Sequence, residues 1–159
     1  MPAIAAFIHT NNDALRLGRT LETLFPCDEI VVVDHGSLDG TARVAREYGA
    51  SVIPARTGAL PAYYISFARS EWILCLDPRE SLTEGLAASL FEWRTESVID
   101  GASAFSVFLR EETPEGWIKH PMAQTRLVPA SWNHWEKLFP RNDRAALALE
   151  GELLRFTLP

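Results

Sequence analysis

The segment that most constrains the fold runs from Ile30 to Thr41 and reads IVVVDHGSLDGT. It opens with β-branched residues and no polar alternation, which is typical of a strand covered on both faces. The apolar run ends at Asp34, and a glycine-containing turn then leads into a helical pattern. Strand, acid, turn and helix in this order predict an α/β fold with polar groups at the carboxyl edge of a parallel sheet. Open α/β sheets bind their ligands at that edge.

A second unit of the same kind ends at Asp77. The apolar stretch Trp72–Leu76 is followed directly by Asp77-Pro78-Arg79-Glu80. Because the carboxyl ends of parallel strands meet at one edge of a sheet, we expect Asp34 and Asp77 to belong to one shared site.

The first half of the chain alternates strand and helix, and this order predicts right-handed crossovers and a parallel sheet. From about Gly101 the pattern changes to strands joined by long loops, which we expect to be antiparallel additions. Besides the segment ending at Asp34, strands are predicted at 3–8, 51–53, 73–76, 104–109, 116–119 and 124–128.

Apolar spacing and caps predict the helices. One is expected to start near the N-cap Asp39 and to stop at Gly49, and another to be opened by a capping box, Ser81-Leu82-Thr83-Glu84. The side chains expected to face the core are Val44, Ala45 and Tyr48 in the first of these helices and Leu86, Leu90 and Phe91 in the second.

Composition limits the class of protein. A chain of 159 residues with 47% hydrophobic residues predicts a single globular domain. A net charge of −6 argues against nucleic acid as the main partner. Cys27 and Cys75 form neither a zinc pattern nor a disulfide framework, which indicates a reducing compartment. The apolar N-terminal stretch is too short for a signal sequence or a membrane span, so we expect a cytoplasmic protein whose membrane contact is at most peripheral.

Several segments together carry a resemblance to a known family. They are Thr10-Asn11-Asn12-Asp13, Val33 to Thr41, Glu47-Tyr48-Gly49-Ala50 and Ala68-Arg69-Ser70-Glu71-Trp72. With them, residues 1–100 resemble the nucleotide-sugar-binding half of family-2 glycosyltransferases, and most closely the bacterial members that act on lipopolysaccharide-core or cell-envelope sugars. Residues 101–159 are similar more loosely, through Gln124–Val128 and Trp135–Leu138.

The resemblance implies the GT-A fold, a Rossmann-like and mostly parallel sheet flanked by helices with a smaller antiparallel C-terminal part. It implies one domain over 1–159, with a nucleotide-binding half (1–100) and an acceptor-side half (101–159). It assigns the nucleoside diphosphate sugar to Thr10, Asn12, Asp13, Asp34, His35, Gly36, Ser37, Asp77 and Arg79. From the residues alone, Asp34 can instead cap the following turn, and Asn12 can cap the first helix.

The family holds a divalent metal, Mn or Mg, with an Asp-x-Asp motif, and this chain departs from it. Asp77 is present, but Arg79 stands where the second acid belongs. Three interpretations stay open. The site has lost metal and activity; Arg79 replaces the metal, because guanidinium binds phosphate bidentately; or Glu80 completes a metal site with Asp77. Arg79 can also simply pair with Glu80 or Glu84 at the surface.

An inverting transfer needs a general base for the acceptor hydroxyl. By position in the resemblance, Glu136 is the first candidate and His134 the second. Trp132 and Trp135 can stack on a sugar ring, or they can pack in the core. Arg126 is expected on a strand that flanks the acceptor.

The resemblance therefore implies sugar transfer from a nucleotide sugar to a hydroxyl of a glycan or lipid-linked acceptor, in cell-envelope glycan synthesis. The alternative is a catalytically impaired GT-A-like domain that binds a nucleotide, a glycan or a protein. Arg79, the apolar segment Leu60-Pro61-Ala62 and Trp135 motivate this alternative, since each replaces a polar residue of the family. A flavodoxin- or receiver-like domain is a third class, which the tryptophan-rich second half argues against. An exposed aromatic such as Trp117 would also allow a homodimer.

Overall fold

The computed structural model describes residues 2–96 and 102–158 and has an α/β architecture. The helices are α1 (Ala14–Glu22), α2 (Thr41–Glu47), α3 (Pro61–Ile65) and α4 (Glu84–Thr95). The strands are β1 (Ile4–Thr10), β2 (Glu29–Asp34), β3 (Ser51–Pro54), β4 (Trp72–Leu76), β5 (Glu80–Leu82), β6 (Phe105–Thr113), β7 (Gly116–Lys119), β8 (Gln124–Pro129), β9 (Trp135–Glu136), β10 (Phe139–Pro140) and β11 (Leu147–Arg155). None of the helices in the described ranges combines the length and apolar character that a bilayer crossing requires.

One large sheet organises the molecule, with the strand order β3-β2-β1-β4-β8-β6-β11-β5 and β7 added on β6. The first four strands are parallel, whereas β8 is antiparallel to both β4 and β6. The predicted parallel sheet with a later antiparallel part is therefore confirmed. Strand β11 was not predicted, and it runs parallel to β6 and antiparallel to β5. A separate short pair is formed by β9 and β10.

Strand β2 is covered on both faces, as its lack of polar alternation predicts. Val32 belongs to the hydrophobic cluster that contains Leu17 of α1 and Leu90 of α4. Val31 and Val33 belong to the cluster on the opposite face, which contains Tyr64 of α3. The chain ends of β1, β2 and β4 are thus held between two packed layers, which makes their carboxyl edge a rigid platform.

Two residues expected in the core are exposed. Tyr48 follows the last turn of α2, and its hydroxyl donates to Glu22 at 2.9 Å. Phe91 points away from the core and stacks on Phe25 with 6.0 Å between ring centroids. Trp93 is buried instead, because α4 packs with this side chain against the core.

The predicted capping box at Ser81–Glu84 is wrong by two residues. Ser81 lies in β5, which pairs with β11 and keeps the backbone extended through Leu82. Thr83 is the N-cap of α4 and accepts a hydrogen bond from the backbone N–H of Leu86 at 3.2 Å. Strand pairing therefore overrides the local capping signal.

Candidate functional site

The carboxyl edge of the parallel strands gathers the acids that the sequence singles out. Thr10 is in register with Asp34, and Ile8 is in register with Leu76, the residue before Asp77. Asp34 and Asp77 therefore flank β1 at the same edge, about 10 Å apart, since neighbouring strands are about 4.8 Å apart. Their carboxylates engage different partners, as the two surrounding loops show.

The loop after β2 is braced by Asn12 and Ser37. Asp34 Oδ1 accepts from the backbone N–H of Ser37 at 3.0 Å, and the Ser37 hydroxyl donates to the same oxygen. Asn12 accepts from the N–H of Leu38 at 2.8 Å and donates its own N–H to Ser37 Oγ at 2.9 Å. Asn12 therefore orders this loop, while Asp13 occupies the cap position of α1.

Thr10 and Asp13 are buried and hold the turn between β1 and α1. The Thr10 hydroxyl donates to Asp13 at 2.7 Å, and Arg16 pairs with the same carboxylate at 3.0 Å. The backbone N–H of Asp13 donates to Thr41 Oγ1 at 3.0 Å, which ties α1 to the start of α2. These contacts give both residues a structural role at the edge.

Asp39 joins the starts of both helices rather than occupying the N-cap of α2, which is Gly40. One carboxylate oxygen accepts from the N–H of Thr41 at 3.0 Å, and the other accepts from the N–H of Ala14 at 3.3 Å. The expected capping chemistry is present, but it is shifted by one residue and shared between two helices.

A cleft of about 420 Å³ opens beside the loop after β2. It is here called the larger cleft in comparison with the cleft at Asp77 described below, and a further cleft of about 460 Å³ lies beside Asn12, Asp13 and Asp39. The larger cleft is lined by His35 and Gly36, by the loop 55–59 after β3, and by Tyr64 and Leu138. Gly36 has φ +75°, a backbone conformation that favours glycine. The volume lies in the range that holds small ligands.

His9, near the end of β1, and His35, directly after β2, form a pair of histidines. His9 Nδ1 lies 2.9 Å from His35 Nε2, and the His9 ring packs edge-on against Tyr64 at 5.1 Å. Burial, with a smaller contribution from the charge of His35, lowers the pKa of His9 to about 4. His9 is therefore neutral at pH 7. Alternation along β1 places it on the face opposite Thr10, which is the signal that could have identified it.

Arg56 and Tyr64 also line the larger cleft, and neither belongs to the set that the family resemblance assigns. The Tyr64 hydroxyl accepts from the backbone N–H of Arg56 at 3.0 Å. The Arg56 guanidinium lies 5.4 Å from the ring centroid of Tyr63. Tyr63 and Tyr64 of helix α3 therefore hold the loop after β3 in place, and this loop brings the positively charged Arg56 to the cleft.

Asp77 lines a second cleft of about 160 Å³, here called the smaller cleft, together with His9 and Leu138. Arg79 Nε lies 2.9 Å from Asp77 Oδ1, and Arg79 Nη2 lies 3.0 Å from Oδ2, a bidentate pair. Burial alone would raise the pKa of Asp77, but the hydrogen bonds from Arg79 outweigh it and hold the pKa below its ordinary value. Arg79 thus pairs with Asp77, rather than with Glu80 or Glu84 as considered above.

Glu80 is fully buried under two arginines. Its carboxylate accepts from Arg126 at 2.6 and 2.9 Å, from Arg155 at 2.9 Å, and from the backbone N–H of Asp77 at 2.8 Å. Burial would raise the pKa of Glu80, but Arg126 and Arg155 outweigh it and the pKa is lowered. This position does not favour Glu80 as a metal ligand.

Arg126 lies on a strand, β8, as expected, and its side chain is buried inside the molecule. Besides Glu80, it donates to the carbonyl of Cys75 at 3.0 Å, and its guanidinium lies 4.5 Å from the ring centroid of Phe139. Through these two contacts it supports the end of β4 and the β9–β10 pair. Within 2–96 and 102–158, no group of three or more His, Cys, Asp and Glu side chains is arranged to hold a metal ion.

The β9–β10 segment covers the sheet edge. Trp132 is buried in the core and donates from Nε1 to the carbonyl of His134 at 2.9 Å, while Trp135 Nε1 donates to the Trp132 carbonyl at 2.9 Å. For Trp132 this favours core packing over sugar stacking. Glu136 and His134 are exposed, and Leu138 contacts both clefts. The two candidate bases therefore lie on the segment that borders the clefts.

Comparison with curated proteins finds glycosyltransferases. A protein of Rickettsia felis named an uncharacterized glycosyltransferase is 37% identical over 91 residues, which cover 54% of this chain and 32% of that protein. The lipopolysaccharide core biosynthesis glycosyltransferase LpsC of Rhizobium meliloti is 47% identical over 45 residues, 28% of this chain and 17% of that protein. The matched part thus spans about a third of the first relative's length. No family model matches the chain.

Solved structures share the fold. Mannosyl-3-phosphoglycerate synthase from Rubrobacter xylanophilus superposes with a TM-score of 0.53 over 72% of this chain and 41% of that chain, at 22% identity. Mannosyltransferase PcManGT from Pyrobaculum calidifontis, solved with GDP-Man and Mn²⁺, gives a TM-score of 0.53 over 67% of this chain and 35% of that chain, at 21% identity. The chain has the GT-A fold of these glycosyltransferases.

Proposed function

We propose that this GT-A chain binds a nucleoside diphosphate sugar at the carboxyl edge of its parallel strands and transfers the sugar to an acceptor hydroxyl. The observation that carries the proposal is the larger cleft, because His35 and Gly36, which line it, belong to the segment with the strongest family resemblance. The two curated relatives described above, which are named as glycosyltransferases, support the same class. They do not favour a purely non-catalytic module.

Asp34 is the residue that we assign to the nucleotide. One of its oxygens is held by Ser37, whereas Oδ2 accepts no hydrogen bond within the described ranges. A half-exposed carboxylate at a strand end accepts hydrogen bonds from ribose hydroxyls or from a base N–H. His35 and Gly36 would form the floor for the nucleoside, and Asp77 and Arg79 would lie toward the diphosphate.

Glu136 is the residue that we assign as general base. Its exposed carboxylate would take the proton of the acceptor hydroxyl while that oxygen attacks the anomeric carbon. The bond from the anomeric carbon to the diphosphate oxygen breaks in the same step, and the nucleoside diphosphate leaves with inversion. His134 is the second candidate for this role, and Trp135 is the remaining tryptophan that can border a sugar.

We assign nucleotide binding to residues 1–100 and acceptor contacts to 101–159 in a single domain. The acceptor class that fits the relatives is a cell-envelope glycan or a lipid-linked glycan, and we place the reaction in the cytoplasm. A homodimer is compatible with exposed aromatics such as Trp117.

Calorimetric titration with UDP and GDP tests the nucleotide site. We expect one of them to bind, and Asp34→Asn to weaken that binding about tenfold or more, because a hydrogen bond to a charged group contributes about 1.5–3 kcal/mol. Glu115→Gln removes an equal charge at an exposed turn and should leave the affinity unchanged. Absence of binding for both nucleotides would remove the basis of the proposal.

Transfer is tested with UDP-glucose and GDP-mannose as donors and lipopolysaccharide core oligosaccharide as acceptor. We expect Glu136→Gln to lower kcat by about 10²-fold or more while the nucleotide Kd stays the same, because general-base catalysis contributes about 10²–10⁴-fold. Unchanged turnover in this variant would exclude Glu136 from the reaction and leave His134 to be tested in the same way.

A further inference from the structure

The cation that faces the diphosphate is the part of this site that the sequence leaves undecided. A departing nucleoside diphosphate needs positive charge beside it, and PcManGT was solved in complex with GDP-Man and Mn²⁺. The residues that the family resemblance suggests for such an ion are Asp77 and Glu80. Whether they fit a divalent metal can be judged from their contacts.

Asp77 has both oxygens engaged by its own neighbour. Arg79 contributes its backbone N–H and Nε to Oδ1, each at 2.9 Å, and Nη2 to Oδ2 at 3.0 Å. A metal bound to this carboxylate would lie next to a guanidinium that is permanently charged, and the two cations would repel each other. Metal binding at Asp77 therefore requires Arg79 to leave.

Glu80 cannot complete the site without dismantling the core beneath it. The side chain has no exposed surface, and Arg126 and Arg155 bind its oxygens from two different strands. A metal would have to displace these buried ion pairs. Breaking them is costly, because it leaves a buried charge without its partner.

The charges around the turn are already balanced. The acids Asp77, Glu80 and Glu111 are joined by ion pairs to Arg79, Arg126 and Arg155. A divalent cation is held by an excess of carboxylate oxygens, which this cluster does not offer. The described residues around this turn do not fit a divalent metal.

The Arg79 guanidinium has donors to spare. It carries five N–H groups, of which the bidentate contact with Asp77 uses two. Nη1 makes no hydrogen bond to any residue in 2–96 or 102–158, and the side chain is 36% exposed. Asp77 therefore holds the guanidinium in one orientation and leaves its remaining N–H donors free for phosphate oxygens. Guanidinium groups often bind phosphate through two such hydrogen bonds.

We propose that the chain binds nucleoside diphosphates without a divalent metal, with Arg79, oriented by Asp77, as the fixed cation that contacts the diphosphate. This inference rests on the proposed function and specifies how its donor site handles charge. Asp77 then acts as a positioning residue for Arg79 rather than as a metal ligand.

The wild-type protein is titrated calorimetrically with UDP and GDP, once in EDTA and once in MnCl₂. We expect the Kd of the nucleotide that binds to differ by less than about threefold between the two conditions. Binding that is tenfold or more tighter with Mn²⁺ would overturn the inference while leaving the proposed function standing. Failure of both nucleotides to bind in either condition would instead refute the proposed function, and this inference with it.

Arg79→Gln separates phosphate contact from a structural role. We expect it to weaken binding of the diphosphate tenfold or more in EDTA, while binding of the matching nucleoside, uridine or guanosine, stays unchanged. Arg144→Gln removes an exposed arginine elsewhere and serves as the charge control. Equal losses for nucleoside and diphosphate would show a structural effect and contradict the proposal. Arg79→Lys, which keeps the charge without the fork, should show an intermediate loss and covers the case in which Arg79→Gln does not fold.

Arg79→Asp restores an Asp-x-Asp pair and should make nucleotide binding depend on Mn²⁺. We expect this variant to bind Mn²⁺, as followed by the loss of the free-ion signal in electron paramagnetic resonance, and to bind nucleotide more tightly with Mn²⁺ than in EDTA. The wild type should leave the Mn²⁺ signal unchanged. A wild type that binds Mn²⁺ at this site, or an Arg79→Asp variant that is indifferent to the ion and binds as tightly as wild type, would contradict the assignment.

Discussion

Burial separates the polar side chains at the sheet edge into two groups. Thr10, Asp13, Glu80 and Arg126 are buried with their hydrogen bonds satisfied inside the protein. They hold the loops, and changing them would act on the fold before it acted on a ligand. The exposed or half-exposed group, with Asp34, His35, Asp77, Arg79 and Glu136, keeps atoms that a ligand can reach. The distinction depends on environment and not on residue type.

His9 is a residue at this edge whose protonation we expect to reduce stability as the pH falls below neutrality. Its pKa is lowered from 6.5 to about 4 in the folded protein. Between these values the unfolded chain binds the proton and the folded chain does not, so stability is complete above pH 6.5 and falls as the pH drops toward 4.

The expected loss from His9 between pH 7.5 and pH 5 is about 2 kcal/mol. Urea unfolding of wild type and His9→Phe at both pH values measures it, and the variant should lose about 2 kcal/mol less than wild type. His134→Gln, at an exposed position, is the control and should keep the wild-type loss. Equal pH dependence in wild type and His9→Phe would show that His9 is not a buried neutral histidine.

At the scale of elements, an irregularity in β11 lets the last strand pack against the start of α4. The register of β11 with β6 shifts between Ala148 and Glu152, and Gly151 within this shift has φ +95°. The carbonyl of Glu152 then accepts from the hydroxyl of Thr83, the cap of α4, at 2.7 Å. One bulge therefore joins a helix start to a strand that closes the sheet.

Gly151→Ala should damage this junction. An added Cβ would lie 2.2 Å from the backbone nitrogen of Leu86 and 2.6 Å from the carbonyl carbon of Gly85, and backbone atoms cannot move aside as a side chain can. We expect a loss of at least about 3 kcal/mol in the free energy of unfolding, from the clash and the positive φ together. Urea denaturation followed by circular dichroism gives the value.

Gly40→Ala is the matched control, because Gly40 has φ −80° and its nearest neighbour is the mobile end of Arg43 at 3.5 Å. It should cost less than about 1 kcal/mol. Similar losses in both glycine variants would mean that the helix–strand contact at Gly151 is not specific.

At the scale of the whole molecule, the sheet joins both halves of the chain through its centre. Strand β4 pairs with β1 on one side and with β8 on the other, so the parallel strands and the later strands form one surface. Cys75 lies in β4, is buried and borders the smaller cleft. Its exposure therefore requires the sheet or the segment that covers this cleft to open.

The reactivity of Cys75 should report this opening. Burial raises the pKa of its thiol to about 12, and only the thiolate reacts with disulfide reagents. In a Cys27→Ala background at pH 8, we expect native Cys75 to react about 10³-fold or more slowly than the same protein in guanidinium chloride. Rapid reaction of the native protein, followed by absorbance of the released thiol, would indicate that the sheet or the segment covering Cys75 opens locally.

The sequence by itself determined the parallel half and the acids at its carboxyl edge. Strand, acid, turn and helix are local patterns, and the segment ending at Asp34 contains all of them within twelve residues. Hydrophobic runs without alternation identified the strands buried on both faces, and the alternation of strand and helix predicted that they are parallel. The exposure of Tyr48 and Phe91 could not be predicted in this way. The spacing of apolar residues defines one face of a helix, but it does not show which neighbouring element will cover that face.

Only the tertiary structure decided what the polar residues do. Glu80 meets Arg126 and Arg155 across 46 and 75 residues of chain, and His9 meets His35 across 26. Strand β11, which brings Arg155 to Glu80, has no local signal that places it between β6 and β5. Short-range patterns reach a few residues along the chain, whereas burial and ion pairing depend on groups that only folding brings into contact.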